Sequence, residues 1–453
     1  MKPDPRATAL DILSSLEKGS FTLDTLVDDI LGSARLREKR DRALVTTLVY
    51  GVLRRRNTID WIIAHFSRTP PDRMDTDILN ILRLGVFQLR FLDRIPAFAA
   101  VNASVELAKK RSHPRFSGFV NGVLRSIARM PGQPDLSDMA GDPVKGMSVA
   151  KSFPCWILRR WIERFGLENT GRMCDVMNSI PPITVRVNTL KTVPDTLADS
   201  LIPEVGRIER SGRLENAFSF FSPSVPVHEL TAFGRGWFHV QDEAAQMICR
   251  LTDPRPGERV LDACAGLGGK TGHMAQLMEN TGEIVAVDRD GRKLEKLRFE
   301  MERLGVINTR TLKSDLLSST VLKNEGLFDR VLADCPCSGS GVIRRNPDTK
   351  WRLSAQNLRR FAMDQLSILD NLAGMVRRGG VLVYSVCSIE PEECEEVVRA
   401  FLNNHREFDI EGNKALIPAE VSGFIDKNGF FKTLPFEHKL DGFFAARLKR
   451  TDG

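Results

Sequence analysis

The stretch Val260–Thr271, VLDACAGLGGKT, decides the reading of the C-terminal half. Val260 and Leu261 lead into Asp262 as the end of a buried β-strand would. Gly266, Gly268 and Gly269 then make a turn, and a helical stretch follows. Glycines at such a place let the backbone approach a ligand closely at a helix N-terminus. Two phosphate-binding patterns fail here, each at a single position. The P-loop pattern G-x-x-x-x-G-K-[ST] finds its end in Gly269, Lys270 and Thr271, but its first glycine falls on Cys264. The dinucleotide pattern G-x-G-x-x-G accepts Gly266 and Gly268 but meets Thr271 where its third glycine belongs.

Outward from this turn the same rhythm repeats. ERVLDACAG, GEIVAVDRD, FDRVLADCP and GGVLVYSVCS are short β-branched runs that each enter a turn or loop, with helical stretches such as GRKLEKLRFEMERLG between them. Alternating β and α segments predict an α/β fold with a mostly parallel sheet covered on both faces. An acid stands at the end of each strand position: Asp262, Asp288, Asp315 and Asp334. A single strand-end Asp is usually a loop cap. Four in succession converge on one crevice at the C-terminal ends of the strands. The turn and the acids together fit a methyltransferase-type site, whose ligand carries no phosphate. There Asp288 accepts hydrogen bonds from ribose hydroxyls and Asp315 suits an adenine amino group.

The chain has eight cysteines. Disulfides are not expected in a reducing compartment, and Cys335 and Cys337 are too close in sequence for a zinc pair, so no metal is expected. Two thiols fall on the active face. Cys337 lies in ADCPCSGSGVIRRNPDTKW, residues 333–351, and Cys387 in YSVCS, residues 384–388. A buried cysteine is more often a small hydrophobe. A strand-end thiol beside an acid and a Gly-Ser-Gly loop suits covalent catalysis better. Carbon 5 of cytosine is a poor nucleophile, and a thiolate that adds to carbon 6 makes it an enamine-like one. Asp334, near ring nitrogen 3 and the exocyclic amine, then stabilises the adduct.

The first 130 or so residues predict helix throughout, with apolar spacing in ATALDILSSL, LVTTLVYGVL and ILNILRLGVFQLRFL, the last capped by Asp77. Met130–Lys151, rich in Pro, Gly, Asp and Ser, predicts a linker. Residues 152–240 predict a small α/β module with two helices and the strand TVRVN, its portion after Val193 being irregular. The formal charge is +7, and basic residues cluster in Arg35–Arg56 and Lys109–Arg115. Either run is a solvated helix face or a phosphate-binding surface. No apolar run approaches the roughly 20 residues of a membrane span. MKPDPRATALDIL lacks the apolar centre of an export signal, so a cytoplasmic protein without membrane contact is expected.

DACAGLGGKT, AVDRD, SDLL, DCPCSGSGVIRRNPDTKW and YSVCS resemble, in this order, the motifs of the RNA 5-methylcytosine methyltransferases. QDEAAQ, RVNTLK and the closing DGFFAARL are similar to further segments of that family. RATALDILSSLEKG, LVYGVLRRRNTIDWII and AAVNASVELAKK are similar to the antitermination factor NusB. The resemblance implies a seven-stranded Rossmann-like methyltransferase domain over 241–453. It implies a NusB-like RNA-binding domain over 1–138, with the small module at 152–240 between them. It further implies S-adenosylmethionine as donor, held by Cys264, Ala265, Gly266, Leu267, Gly268, Gly269, Lys270, Asp288, Asp315 and Asp334. Cys387 becomes the nucleophile, Cys337 the thiol that assists release, and a cytosine of 16S rRNA, free or in an assembling small subunit, the substrate. The chain departs from the family in Gly266-Leu267, in Val386 and in the additional thiol of Cys335. Alternatives are an RNA-binding assembly factor with little catalysis, methylation of another RNA, and a DNA enzyme that attacks with the Pro-Cys thiol.

Overall fold

A computed structural model describes residues 4–19, 22–32, 38–111, 115–130, 132, 141–318 and 321–451. They form two compact units. One comprises residues 1–179 together with Ile343–Arg352, the other Ile180–Val342 and Leu353–Gly453. Arg35, Arg37 and Ser112–Pro114 of the two basic runs lie outside the described residues, as does most of 131–140.

The first unit is helical. Its longer helices include Pro5–Glu17, Lys39–Phe66, Thr76–Phe91, Ala97–Arg111 and Arg115–Arg129. Their apolar stripes meet in one core that includes Leu13, Val49, Ile62, Leu82 and Leu124. Two glycines permit the close helix packing. A Cβ on Gly51 would lie 1.9 Å from Phe87 Cζ, and one on Gly85 would lie 2.6 Å from a Leu124 methyl. The buried Arg83 is matched by Asp60, Glu17 and Asn80, which together accept from its guanidinium.

Two local expectations need correction here. The cap of Thr76–Phe91 is Asp75, whose carboxylate accepts from the Asp77 and Ile78 amides. Asp77 sits inside the first turn and accepts from Ser14 Oγ at 2.7 Å. The expected linker contains a helix, Pro143–Lys151, capped by Asp142. Asp142-Pro143 is here an N-cap followed by proline at the first helical position, where its missing N–H costs nothing. Helices Cys155–Phe165 and Leu167–Asn178 complete the unit.

Ile343–Arg352, although it follows the Pro-Cys motif, belongs to this helical unit. Lys350 is fully buried and donates to the carbonyls of Ser152 (2.7 Å) and Arg54 (3.0 Å) and to Asn178 Oδ1 (3.0 Å). Burial without an acid partner holds its pKa well below the usual lysine value. Trp351 Nε1 donates to Leu53 O at 2.8 Å.

The second unit carries two sheets. Strands β1 (Ile183–Val187), β2 (Val205–Arg210), β3 (Ala217–Pro223) and β4 (Phe238–Val240) form an antiparallel sheet in the order β2-β3-β1-β4. It resolves the stretch after Val193 into a helix, Pro194–Leu201, and three strands. The larger sheet uses β5 (Arg259–Asp262), β6 (Glu283–Asp288), β7 (Thr309–Lys313), β8 (Phe328–Asp334), β9 (Val376–Val386), β10 (Phe408–Ile410), β11 (Phe430–Thr433) and β12 (Phe443–Arg450). Seven of these run in the order β10-β12-β9-β8-β5-β6-β7, and β11 pairs with β12 off that path. The pairs joining β9, β8, β5, β6 and β7 are parallel, and those of β12 are antiparallel. This is the expected Rossmann-like sheet, with DGFFAARL as the antiparallel β12 beside β9. Strand order reverses beside β5, so the ends of β5, β6 and β8 open on a shared crevice. Among the described residues, no helix is long and apolar enough to cross a membrane.

Candidate active site

The site starts where β5 ends. Asp262 is fully buried and accepts from Thr271 Oγ1 at 2.6 Å, while its other oxygen has no hydrogen-bond partner. Burial pushes its carboxyl up to about 7. It braces the turn to the helix Gly269–Leu277 from beneath. Ala265 N donates to Val287 O at 2.8 Å, tying the turn to β6. Gly266 and Gly268 have φ of +56° and +89°, and a Cβ on Gly268 would meet Leu297 Cγ at 2.7 Å, so glycine is required there on both counts. Leu267 is exposed.

Asp288, at the end of β6, accepts from Gly266 N at 3.0 Å and from Asp290 N at 2.8 Å. It thus fixes the glycine turn with one oxygen and its own loop with the other. A cavity of about 440 Å³ opens beside it, lined by Cys264, Asp288, Asp315, Leu316, Phe361 and Ile368 among others. A lining that holds both acids and apolar side chains suits a ligand with a hydroxylated and an aromatic part. Of the residues expected to hold a donor, Cys264, Asp288 and Asp315 line this cavity. Ala265 to Gly269 form the turn that follows Cys264.

Lys270 and Asp334 pair with each other, Nζ to Oδ2 at 2.6 Å. Burial works against the lysine charge, yet attraction and hydrogen bonding to Asp334 outweigh it and raise the lysine pKa. The other Asp334 oxygen accepts from Ser385 Oγ at 2.6 Å, across neighbouring strands β8 and β9. The carboxylate is therefore held at both oxygens at the strand ends.

The sulfurs of Cys337 and Cys387 lie 3.3 Å apart. Each follows the end of its strand, and β8 and β9 are parallel neighbours, so the two loops leave the sheet side by side. The Gly-Ser-Gly loop is pinned further on: Gly341 N donates to Cys387 O at 3.0 Å, and a Cβ on Gly341 would lie 2.0 Å from Gly442 O. Contact with Cys387, burial and the nearby charge of Glu393 hold the Cys337 thiol well above the usual range. Cys335 is buried in the core and shares a hydrogen bond with Cys264, which with burial raises its pKa. It is not part of the Cys337–Cys387 pair. Among the described residues, no group of His, Cys, Asp and Glu is arranged to hold a metal ion.

Two residues of this region were not singled out from sequence. Arg186 of β1 is buried and donates to Gly269 O at 3.0 Å, to Gln276 Oε1 at 3.1 Å and to Gln241, bracing the helix start from the small sheet. Its sequence signal is the RVNTLK segment. Glu393, fully buried, lies under both thiol loops. Its signal was the acid-rich run directly after YSVCS.

A family model described as 16S rRNA methyltransferase RsmB/F matches residues 249–449. A NusB family model matches 3–129, and a ferredoxin-like domain of RsmF/B-like methyltransferases matches 153–228. The chain is 35% identical to the probable ribosomal RNA small subunit methyltransferase B of Bacillus subtilis, over 99% of each chain. It is 32% identical to ribosomal RNA small subunit methyltransferase B of Pseudomonas syringae pv. tomato, over 98% of this chain and 96% of that one. The solved structure of PH0851 matches 99% of this chain and 100% of its own, with a TM-score of 0.82 and 26% identity. A methyltransferase homolog protein from Pyrococcus horikoshii matches 68% of this chain and 99% of its own, with a TM-score of 0.57 and 28% identity. Full-length relatives, the matched models and the paired sheet and thiol geometry converge: the chain belongs to the 16S rRNA methyltransferase RsmB/F family.

Proposed function

We propose that this rRNA methyltransferase transfers a methyl group from S-adenosylmethionine to carbon 5 of a cytosine in 16S rRNA, through a covalent adduct on Cys387. The observation that carries the reading is the juxtaposed pair of sulfurs, Cys337 and Cys387, at 3.3 Å. One thiol suffices for attack. A second at contact distance has a use when the adduct must also be resolved.

The residues present fit the donor. Asp288 would accept from the ribose hydroxyls, Asp315 would take the adenine amino group, and the Cys264–Lys270 turn would hold the amino-acid end. The cavity beside Asp288 has a size suited to such a ligand. When bound, S-adenosylmethionine supplies an electrophilic methyl group. The Cys387 sulfur bonds to carbon 6, and the ring electron pair moves to carbon 5, which becomes the methyl acceptor. Asp334, oriented by Lys270 and Ser385, stabilises the ring at nitrogen 3 and the exocyclic amine. Loss of the carbon-5 proton to solvent then restores the double bond as the carbon 6–sulfur bond breaks and Cys387 leaves as a thiolate, a departure that the Cys337 thiol beside it assists by hydrogen bonding.

In this reading residues 1–138 bind RNA, 241–453 carry the chemistry, and the module at 152–240 supports the donor turn through Arg186. The test is transfer of labelled methyl to transcribed 16S rRNA, with duplex DNA as competitor, followed by mapping of 5-methylcytosine. Label at one cytosine of the RNA is expected. Label in DNA, or none in RNA, overturns the proposal.

A further inference from the structure

Glu393 stands at the end of a short 3₁₀ turn, Pro391–Glu393, six positions after the second thiol. It is completely buried, which is costly for a carboxyl unless hydrogen bonds compensate. Four donors meet it. Oε1 accepts from the Ser338 amide at 2.8 Å and from Gln365 Nε2 at 3.2 Å. Oε2 accepts from the Ser338 hydroxyl and from Ser388 Oγ at 2.6 Å. Ser338 directly follows Cys337, and Ser388 directly follows Cys387. One rigid carboxylate therefore grips the residue after each thiol.

The grip is itself anchored. Gln365 Nε2 also donates to Pro336 O at 2.9 Å, the residue before Cys337. Tyr384 Oη, on β9, lies 2.6 Å from the Glu393 carbonyl oxygen and 2.9 Å from Gln365 Oε1. Ser388 and Ser340 hydroxyls meet at 3.1 Å, closing the arrangement over the Gly-Ser-Gly loop. Burial of this carboxyl serves no evident packing purpose, because an apolar side chain could fill the place without needing partners. What the carboxylate adds is a side-chain tie at the residue after each thiol, beside the backbone bonds Cys335 N to Ser385 O and Gly341 N to Cys387 O.

We propose that Glu393 is the positioning residue that holds the Cys337 and Cys387 thiols in contact. Its effect falls on release of the adduct, the step that needs both sulfurs, more than on attack, which needs one. The inference rests on the adduct mechanism proposed above. Contact with Cys387 and burial, and after them the nearby charge of Glu393, raise the Cys337 thiol above the usual range.

The experiment follows the covalent protein–RNA adduct over time on denaturing gels in full-length enzyme, with donor affinity measured alongside. In Glu393→Ala both thiols remain, but the adduct should persist at least tenfold longer than in wild type, with donor affinity within twofold. Glu393→Gln, which keeps an acceptor and the size, should release the adduct at an intermediate rate. Should Glu393→Ala not fold, Ser338→Ala/Ser388→Ala removes the hydroxyl arms alone and carries the same expectation. Release at the wild-type rate in Glu393→Ala, or in the double variant if that must replace it, overturns the inference and leaves the proposed reaction standing. Equal loss of donor binding and release would also overturn it, since that marks a general structural role. If wild type makes no methylcytosine and Cys337→Ala traps no adduct, the reaction itself falls first, and that failure is seen without any Glu393 variant.

Discussion

The sulfurs of Cys337 and Cys387, fifty positions apart in sequence, are 3.3 Å apart in space. Parallel pairing of β8 with β9 produces this closeness, since both thiols begin the loops that leave the same end of adjacent strands. The consequences divide between the donor cavity, the strand-end acids and the helical unit.

Asp288 should matter twice to donor binding. It lines the cavity and fixes Gly266 N at 3.0 Å. A charge-assisted hydrogen bond is worth about 1.5–3 kcal/mol, so Asp288→Ala should weaken S-adenosylmethionine binding at least tenfold. Calorimetry on folded variant checks this, and unchanged affinity would remove Asp288 from the site.

Asp262 sets a pH dependence of stability. Its folded carboxyl is raised from 3.8 to about 7 by burial. A raised folded pKa gives stability that is fully present below the unfolded value and lost as pH rises through the folded one. Wild type should therefore lose stability between about pH 4 and pH 7 through this group, at up to about 1.4 kcal/mol per pH unit. Asp262→Asn should lack that component. Urea melts of both proteins at pH 5, 6, 7 and 8 read the difference. A gap between the two proteins that is constant from pH 5 to 7 contradicts the assignment.

The basic runs of the helical unit separate into structural and available charges. Arg56 pairs with Glu17 at 3.3 Å and lies over the Trp351 ring, and Arg54 donates to Arg344 O at 3.1 Å. Arg56→Ala should cost on the order of 1–3 kcal/mol of stability, through lost packing on Trp351 and the lost pairing with Glu17, which keeps Arg83. Lys109, Lys110 and Arg111 are exposed, with Lys109 paired to Glu106 and Arg111 to Asp11 at the surface. Replacing these three with Ala should leave stability within about 0.5 kcal/mol while weakening RNA binding and flattening its salt dependence. A wild-type salt slope in the triple variant would return the run to a solvated face.

Legibility in the sequence followed the range of the interactions. The strand ends at Asp262, Asp288 and Asp334 were visible because a buried parallel strand reads as an apolar run closed by a polar residue. Asp315, two positions past β7, followed no such run, since β7 is the polar, partly exposed TRTLK; it was visible as the acid of KSDLL at the third strand position. The thiol pair was visible as two motifs. Their separation of 3.3 Å was not, because it depends on which strands are neighbours. Asp75 and Asp77 show the limit at short range: both can cap, and the choice turned on Ser14, which lies on another helix and engages Asp77. Pro143–Lys151 read as linker because its composition is that of a turn, although Asp142-Pro143 is also a helix start. Lys350 carried no local signal, and Glu393 only that of an acid-rich run after YSVCS. A buried lysine held by three oxygens and a carboxylate gripping two loops are products of tertiary structure, and charged residues in sequence default to the surface.

The central claim is that the two thiols act in sequence on one cytosine, Cys387 to enter the adduct and Cys337 to leave it. Denaturing gels of Cys387→Ala and Cys337→Ala, each incubated with 16S rRNA and S-adenosylmethionine, test it most directly. Removal of a nucleophile blocks the first step, and removal of a release group blocks the last. Cys337→Ala should therefore run as a protein–RNA adduct carrying the transferred methyl, Cys387→Ala should be inert and free of RNA, and Cys335→Ala should turn over and carry no trapped RNA. Trapped RNA on Cys387→Ala, with none on Cys337→Ala, would contradict the account and make Cys337 the nucleophile.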